Sequence, residues 1–434
     1  MNKIILILVL LFSNKLSAQA DYTFITSGEY FNKAYEYLEN KDYLNAFKSF
    51  DKINKSDTLY ELAQFNKLIT EYAGKYYEEC VSTASKIIKN ESIYSTEAFF
   101  YKIRAQVDLR LYSNAFASIG HGSKKYPLQS FRFEYLKAKI LESQGRYEDA
   151  KHLLQSILKQ HPYHSSSHLL LAQIMGEEGG IVQSILGFQM AIISNRTSPS
   201  LRPAFKGMTD IMQGNFDIKR QKDNLEYYNL INSLISSGLA LKEDYKASLP
   251  LKYVTNTVTD LIISQLDYQA KSNNFTMDYY VKFLGEVKSK GFEKGYILYL
   301  MSVINHSSVK KALSRYKSDL DVFEEFYFNY WNKEINKNKF KVNGAIDERD
   351  YIMNNHGVLS AFGKRNKEGL KIGKWTFFYP SGTIAAENKY NENGRLTGDN
   401  IWYSEEGYIK ESGFYEEGKI NGNAYFTREN GCSR

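Results

Sequence analysis

Along the first half of the chain, apolar positions return every 34 or 35 residues. Tyr43 with Ala46, Tyr77 with Cys80, Tyr112 with Ala115 and Tyr147 with Ala150 repeat one local pattern, and Ile181 with Ser184 continues it more weakly. Upstream of each pair, Phe31, Phe65, Phe100, Tyr135 and Leu169 form a column, followed three residues later by Ala34, Leu68, Ile103, Ala138 and Ala172. Spacings of three and four place such residues on one helical face. Downstream, Phe50, Ala84, Ile119, Leu154 and Phe188 extend the stripe along a second helix. The pattern predicts stacked helical hairpins over residues 21–198. The small residue lets the two helices of a hairpin approach, and the Tyr before it covers the crossing. Pro127 and Pro162 fall in equivalent connectors, where a proline ends one unit before the next begins.

The unit containing Ala138, Gly145, Tyr147, Ala150 and Pro162 carries a small–Gly–Tyr–small–Pro signature, and on it the region of about 27–198 resembles tetratricopeptide repeats, five units in all. It departs from the family at the turn, where Gly145 is replaced by Lys41, Lys75 and Arg110 in the first three units. The resemblance implies a solenoid. In the family's usual register the aromatic column would line a concave groove for a partner segment, at Phe31, Phe65, Phe100 and Tyr135, flanked by Tyr35, Ile69, Arg104 and Lys139. One residue out of register, the same column is the seam between repeats.

Between residues 199 and 340 the strict period fades while helical spacing persists, over Leu225–Leu241, Val254–Ala270, Met277–Val287, Phe292–Ile304 and Val322–Asn332. These are read as degenerate repeats that cap the array, since an open end leaves an apolar face in water; an independent helical domain is the alternative. Lys333 to Lys341 reads as a linker.

From about 346 to 434 the rhythm changes. Gly373 is followed nine residues later by Gly382, as Gly398 is by Gly407 and Gly422 by Gly431, and Phe377, Trp402 and Phe426 each lie four residues after the first glycine. Glycines at fixed offsets bounding short aromatic runs predict β-hairpins joined by tight turns at Ser381-Gly382, Glu406-Gly407 and Asn430-Gly431. The stretch 357–431 resembles variant MORN repeats of exported bacterial proteins. The expected fold class is therefore α+β and multidomain, an N-terminal helical solenoid followed by a C-terminal antiparallel β-hairpin ribbon. Trp375, Trp402, Tyr403 and Tyr425 either form the core of that ribbon or line a surface suited to a glycan or a membrane interface.

Residues 1–20 read as a secretory leader, with Lys3, the apolar run Ile4–Phe12 and Ala18-Gln19-Ala20 as the cleavage site. The run is too short to cross a bilayer, which takes about 20 residues. An exported, periplasmic or outer-membrane-associated protein is the expectation. Net charge is +7, or +5 once Lys3 and Lys15 leave with the leader, and it is spread thinly, so a nucleic-acid partner is not expected. Cys80 occupies a small-residue position and Cys432 lies near the end, so no disulfide is expected.

His161, His164 and His168 prompt a search for a metal site. With no cysteine beside them and no acid between them, they read as polar connector residues. Asp347, Glu348 and Asp350 surround Arg349 as in a solvated turn. There is no Gly-x-Ser-x-Gly, His-Glu-x-x-His or phosphate loop, and no catalytic residue, metal or cofactor is expected. The functional expectation is a non-enzymatic scaffold that binds one or more protein partners in an envelope complex. A ribbon that contacts glycan or lipid is the alternative.

Overall fold

The computed structural model describes residues 26–194, 200–212, 217–220, 259, 262–266, 274–303, 307–337, 350–353, 359–379, 381–405, 407 and 409–426. The leader, the helix expected over Leu225–Leu241 and most of that over Val254–Ala270 lie outside these residues. The architecture is α+β, helices in consecutive packed pairs followed by an antiparallel sheet. Contacts divide the chain into two compact units, Met1–Tyr94 and Ser95–Arg434. The boundaries expected at 198/199 and 340/346 both fall within the second unit.

In the first unit, α1 (Ser27–Glu39) pairs with α2 (Tyr43–Phe50), and α3 (Tyr60–Ala73) with α4 (Tyr77–Lys89). In the second, the pairs are α5 (Ser95–Asp108) with α6 (Tyr112–Lys125), α7 (Ser130–Ser143) with α8 (Tyr147–Gln160), and α9 (Ser165–Glu177) with α10 (Ile181–Ser194). All five pairs close by one device. Lys41, Lys75, Arg110, Gly145 and Gly179 adopt positive φ, between 59° and 86°. The amide after each reaches back to the carbonyl five residues earlier, as Tyr76 N–H does to Glu71 and Leu111 N–H to Gln106. This is the helix ending in which a left-handed residue turns the chain and satisfies the orphan carbonyls. The departures at Lys41, Lys75 and Arg110 therefore change the residue and keep the geometry.

The second helix begins at the repeating position, and Ala46, Cys80, Ala115, Ala150 and Ser184 are fully buried at the crossing. Ser184 also satisfies its hydroxyl there, donating to the Ala172 carbonyl at 2.7 Å. Gly74 adds a contact that the period did not mark: a Cβ on it would lie 2.7 Å from the Tyr43 Cβ.

The remaining helices complete the second unit. They are α11 (Leu201–Met212), one π-type turn (Thr276–Val281) running into α12 (Lys282–Ser289), α13 (Glu293–Met301), α14 (Ser307–Arg315) and α15 (Lys317–Lys337). Gly291 closes α12 on α13 with the same left-handed bend, φ +69°. Phe323, Tyr327 and Trp331 of α15 share one core with Phe283, Tyr279 and the α9–α10 pair. The described helices of the middle region thus share a core with the hairpins. Their effect is plainest on α10, which is buried from Val182 to Ser194. Gln189 inside that helix is satisfied by Thr259 at 2.8 Å and Tyr296 at 2.7 Å. The expected linker is also corrected: residues 333–337 are the last turn of α15, which runs to Lys337.

Strands β1 (Asp350–Met353), β2 (Leu359–Arg365), β3 (Lys371–Phe378), β4 (Ile384–Tyr390), β5 (Gly398–Tyr403), β6 (Ile409–Glu416) and β7 (Lys419–Phe426) form one antiparallel meander in sequence order. Turns at Gly382 and Gly407 adopt positive φ, as expected; Asn430-Gly431 lies outside the described residues. The intervening links use a signal that the glycine pattern did not reveal. Asn366 and Asn391 each accept two backbone amides within their own turn, at 2.9–3.1 Å. Register shifts follow Phe377 and Trp402 at the same offset, so the 25-residue repeat carries a bulge as well as a turn.

Arg110→Gly should stabilise the chain by roughly 0.5–1 kcal/mol in urea unfolding. Relief of left-handed strain, about 1–2 kcal/mol, outweighs the larger entropy that glycine loses, about 0.5–1 kcal/mol. Ala150→Leu should destabilise it by about 1–3 kcal/mol, because the hairpin crossing has no room.

Candidate functional site

The eight candidate groove residues divide between the units. In the first, Phe31 and Phe65 are each 2% exposed, Phe31 against Phe50 at 5.3 Å and Phe65 stacked on Tyr94 at 4.5 Å. Tyr35 and Ile69 are half-buried, and the Tyr35 hydroxyl reaches Asn66 at 3.4 Å. In the second, Phe100 is 3% exposed, Tyr135 and Arg104 are half-buried, and Lys139 is exposed. Phe31, Phe65 and Phe100 are thus buried, Phe31 against the second helix of its own hairpin.

Phe100 is covered from inside the chain. The Arg132 guanidinium lies 4.0 Å from its ring centroid and pairs with Glu97 at 2.9 Å and Gln129 at 2.7 Å, all buried. The β5–β6 turn closes over this pair: a Cβ on Gly407 would meet the Arg132 Cδ at 2.7 Å. Glycine at that turn serves both φ, +82°, and the close approach of sheet to helix.

The three histidines are core residues, which overturns their reading as polar connector positions. His161 stacks on Phe131 at 4.2 Å, and His164 bonds Ser167 through Nδ1 at 2.7 Å. His168 Nε2 meets the Pro162 carbonyl at 2.8 Å and must donate to it, so Nδ1 accepts from the Tyr280 hydroxyl at 2.9 Å. Burial pushes all three imidazoles down to about 3. Among the described residues no group of His, Cys, Asp or Glu is arranged to hold a metal. In the first unit, burial pushes the Glu71 carboxyl up to about 7, against a bond from Thr83 and the charge of Lys67, 3.9 Å away. Asp347 and Glu348 lie outside the described residues, and Asp350 opens β1 opposite Gly363.

Two concavities among the described residues bear on binding. A groove of about 630 Å³ runs between α6 and α8 over α7. Phe116, Ile119, Leu141 and Leu153 form its apolar part, Arg146 and Asp149 its charged rim, and Gly120 leaves open space in its wall. It lies between second helices, away from the column that the periodicity singled out.

The other, of about 440 Å³, is on the sheet. Register aligns Ala361, Phe377, Ala386, Trp402 and Glu411 across five adjacent strands, so Ala386 is the floor between two aromatic walls. Asn388, next on that face of β4, lines the cavity and is 6% exposed, and its Oδ1 accepts no hydrogen bond. Leaving such an acceptor unmet costs about 1–3 kcal/mol. Lys371 extends over Phe377, with Nζ 4.7 Å from the ring centroid; burial, then the Arg365 charge, pushes its ammonium pKa down.

Of the candidate ribbon residues, Trp402 is a half-exposed wall of this cavity, which Tyr403 also lines. Trp375 is fully buried and donates from Nε1 to the Lys364 carbonyl at 2.9 Å, and Tyr403 is buried with its hydroxyl on Glu387 at 3.0 Å. Tyr425 stands on β7 opposite Ser412. Phe377, Asn388 and Lys371 were missed. Their only sequence signal is the spacing of Phe377 and Trp402, 25 residues apart.

No family model matches the chain, and no curated protein matches it. Among the described residues no helix is long and apolar enough to cross a membrane.

Lowering the pH from 7 to 5.5 should move the two units in opposite directions. The folded histidines stay neutral while the unfolded chain takes up protons below its ordinary pKa of 6.5. The second unit therefore loses up to about 1.4 kcal/mol per pH unit for each histidine. Glu71 binds its proton in the folded state first, so the first unit gains stability from about pH 7 down to the unfolded value of 4.5. Urea unfolding followed by hydrogen-exchange mass spectrometry, which reports each unit separately, checks both signs.

Proposed function

We propose that this chain is a non-enzymatic, exported scaffold that holds a protein partner on its helical repeats and presents the sheet as a second binding surface. The α6–α8 groove is the observation that carries the reading. Its apolar floor takes one or two hydrophobic anchors of a partner segment, and the Arg146–Asp149 pair at 2.6 Å supplies a polar rim. The tetratricopeptide resemblance supports the same use, with the binding face moved from the buried column to the second helices. Export rests on the leader-like residues 1–20, and it places the partner in the cell envelope. The alternative, a sheet that contacts an envelope glycan or lipid, is favoured by the cavity at Ala386.

Gly120→Trp fills the groove from an exposed helix position where an added Cβ meets nothing within 4 Å. Purified from gently solubilised envelopes, the wild-type chain should retain a protein that the Gly120→Trp variant loses, with the melting temperature of the variant unchanged. Recovery of both proteins alone would end the scaffold reading.

A further inference from the structure

The sheet cavity has the shape and polarity of a site for one ring, and we infer that the slot between Phe377 and Trp402 binds a saccharide ring of an extended glycan. The assignment deepens the alternative reading of the sheet and is independent of the helical groove.

Phe377 and Trp402 lie on β3 and β5 with Ala386 of β4 between them in register. Strands two apart are separated by about 9.5 Å. One ring in contact with both walls needs roughly 7–8 Å, two carbon contacts of about 3.5–4.0 Å. A helix, about 10 Å across, does not enter such a space. Ala386 is small enough to leave the slot open, and any larger side chain there would fill it.

Polarity narrows the class. The unmet Asn388 Oδ1 on the floor calls for a donor on the ligand. Glu411, directly opposite Trp402, adds a carboxylate acceptor, and the Lys371 ammonium on the other side adds a donor. A pyranose has apolar C–H faces for the two rings and an edge of hydroxyls that both give and accept hydrogen bonds. An acyl chain leaves Asn388, Glu411 and Lys371 unanswered. Lys410 also lines the cavity, so charge alone does not separate a sugar from a nucleotide, and the nucleotide control makes that distinction. The cavity is also long enough along the sheet to reach Tyr390, which suits a chain of rings better than a single free sugar.

Isothermal titration of the full chain with chitohexaose, cellohexaose and trigalacturonate, and with adenosine monophosphate as a flat-ring control, tests the assignment. At least one oligosaccharide should bind with a Kd below about 1 mM. Trp402→Ala and Asn388→Ala should each weaken it tenfold or more, and Ala386→Leu should abolish it, while Gly120→Trp leaves it unchanged. Trp402 is half-exposed, so its variant decides the matter should Ala386→Leu fail to fold. No binding by any of the three sugars, binding that survives Trp402→Ala, or slot-dependent binding of the nucleotide or of anionic phospholipid vesicles in place of sugar would overturn the inference. Loss of sugar binding with partner capture intact would leave the scaffold reading standing.

Discussion

A single left-handed residue at the bend of each helical hairpin sets where the second helix starts and which of its faces meets the first. The bend is a backbone requirement, so side chains other than glycine are accepted where something offsets their strain. Lys41, Lys75 and Arg110 each put a cation just past a helix C-terminus, where the negative end of the dipole favours it by about 0.3–1 kcal/mol and offsets part of the strain. Once the bend is made, Ala46, Cys80, Ala115, Ala150 and Ser184 fall at the crossing, and only small residues fit there.

Stacking such hairpins leaves an apolar face at the end of the row, and the second unit covers it with its own later helices. That is why α10 is buried along nearly its whole length and why α15 contributes Phe323, Tyr327 and Trp331 to the same core as α9 and α10. The sheet meets the helices through the β5–β6 turn, where Gly407 sits on the buried Arg132–Glu97 pair. Burying that pair without Gln129 and the Phe100 ring beside it would be unfavourable, since a desolvated charge needs every neighbour that it can use. Arg132 closes over Phe100, and the concavities lie elsewhere, between second helices and across the sheet.

The two periods of the sequence, one of small residues and one of glycines, were enough to read helical hairpins followed by β-hairpins, because each marks a position where the backbone tolerates little else. Cys80 as a crossing residue and Gly382 and Gly407 as turns were legible for that reason. The histidines were not. In the sequence His161, His164 and His168 stand beside Pro162 and serines and look solvated, and only the π-type turn before α12, more than a hundred residues away, brings Tyr280 to His168. The aromatic column was ambiguous because a shift of one residue rotates a helical face by about 100°, and periodicity alone does not locate the axis of the neighbouring helix.

The sheet shows the same division. Glycine offsets predicted its turns, yet the bulges after Phe377 and Trp402 and the row through Ala386 depend on how strands pair, which spacing does not state. By itself, then, the chain determined where it bends and which residues must be small, since those are properties of local backbone geometry. Which aromatics are walls and which are core, and whether Asn388 is satisfied, were decided only when distant segments packed, because burial and hydrogen bonding belong to the neighbours a residue acquires.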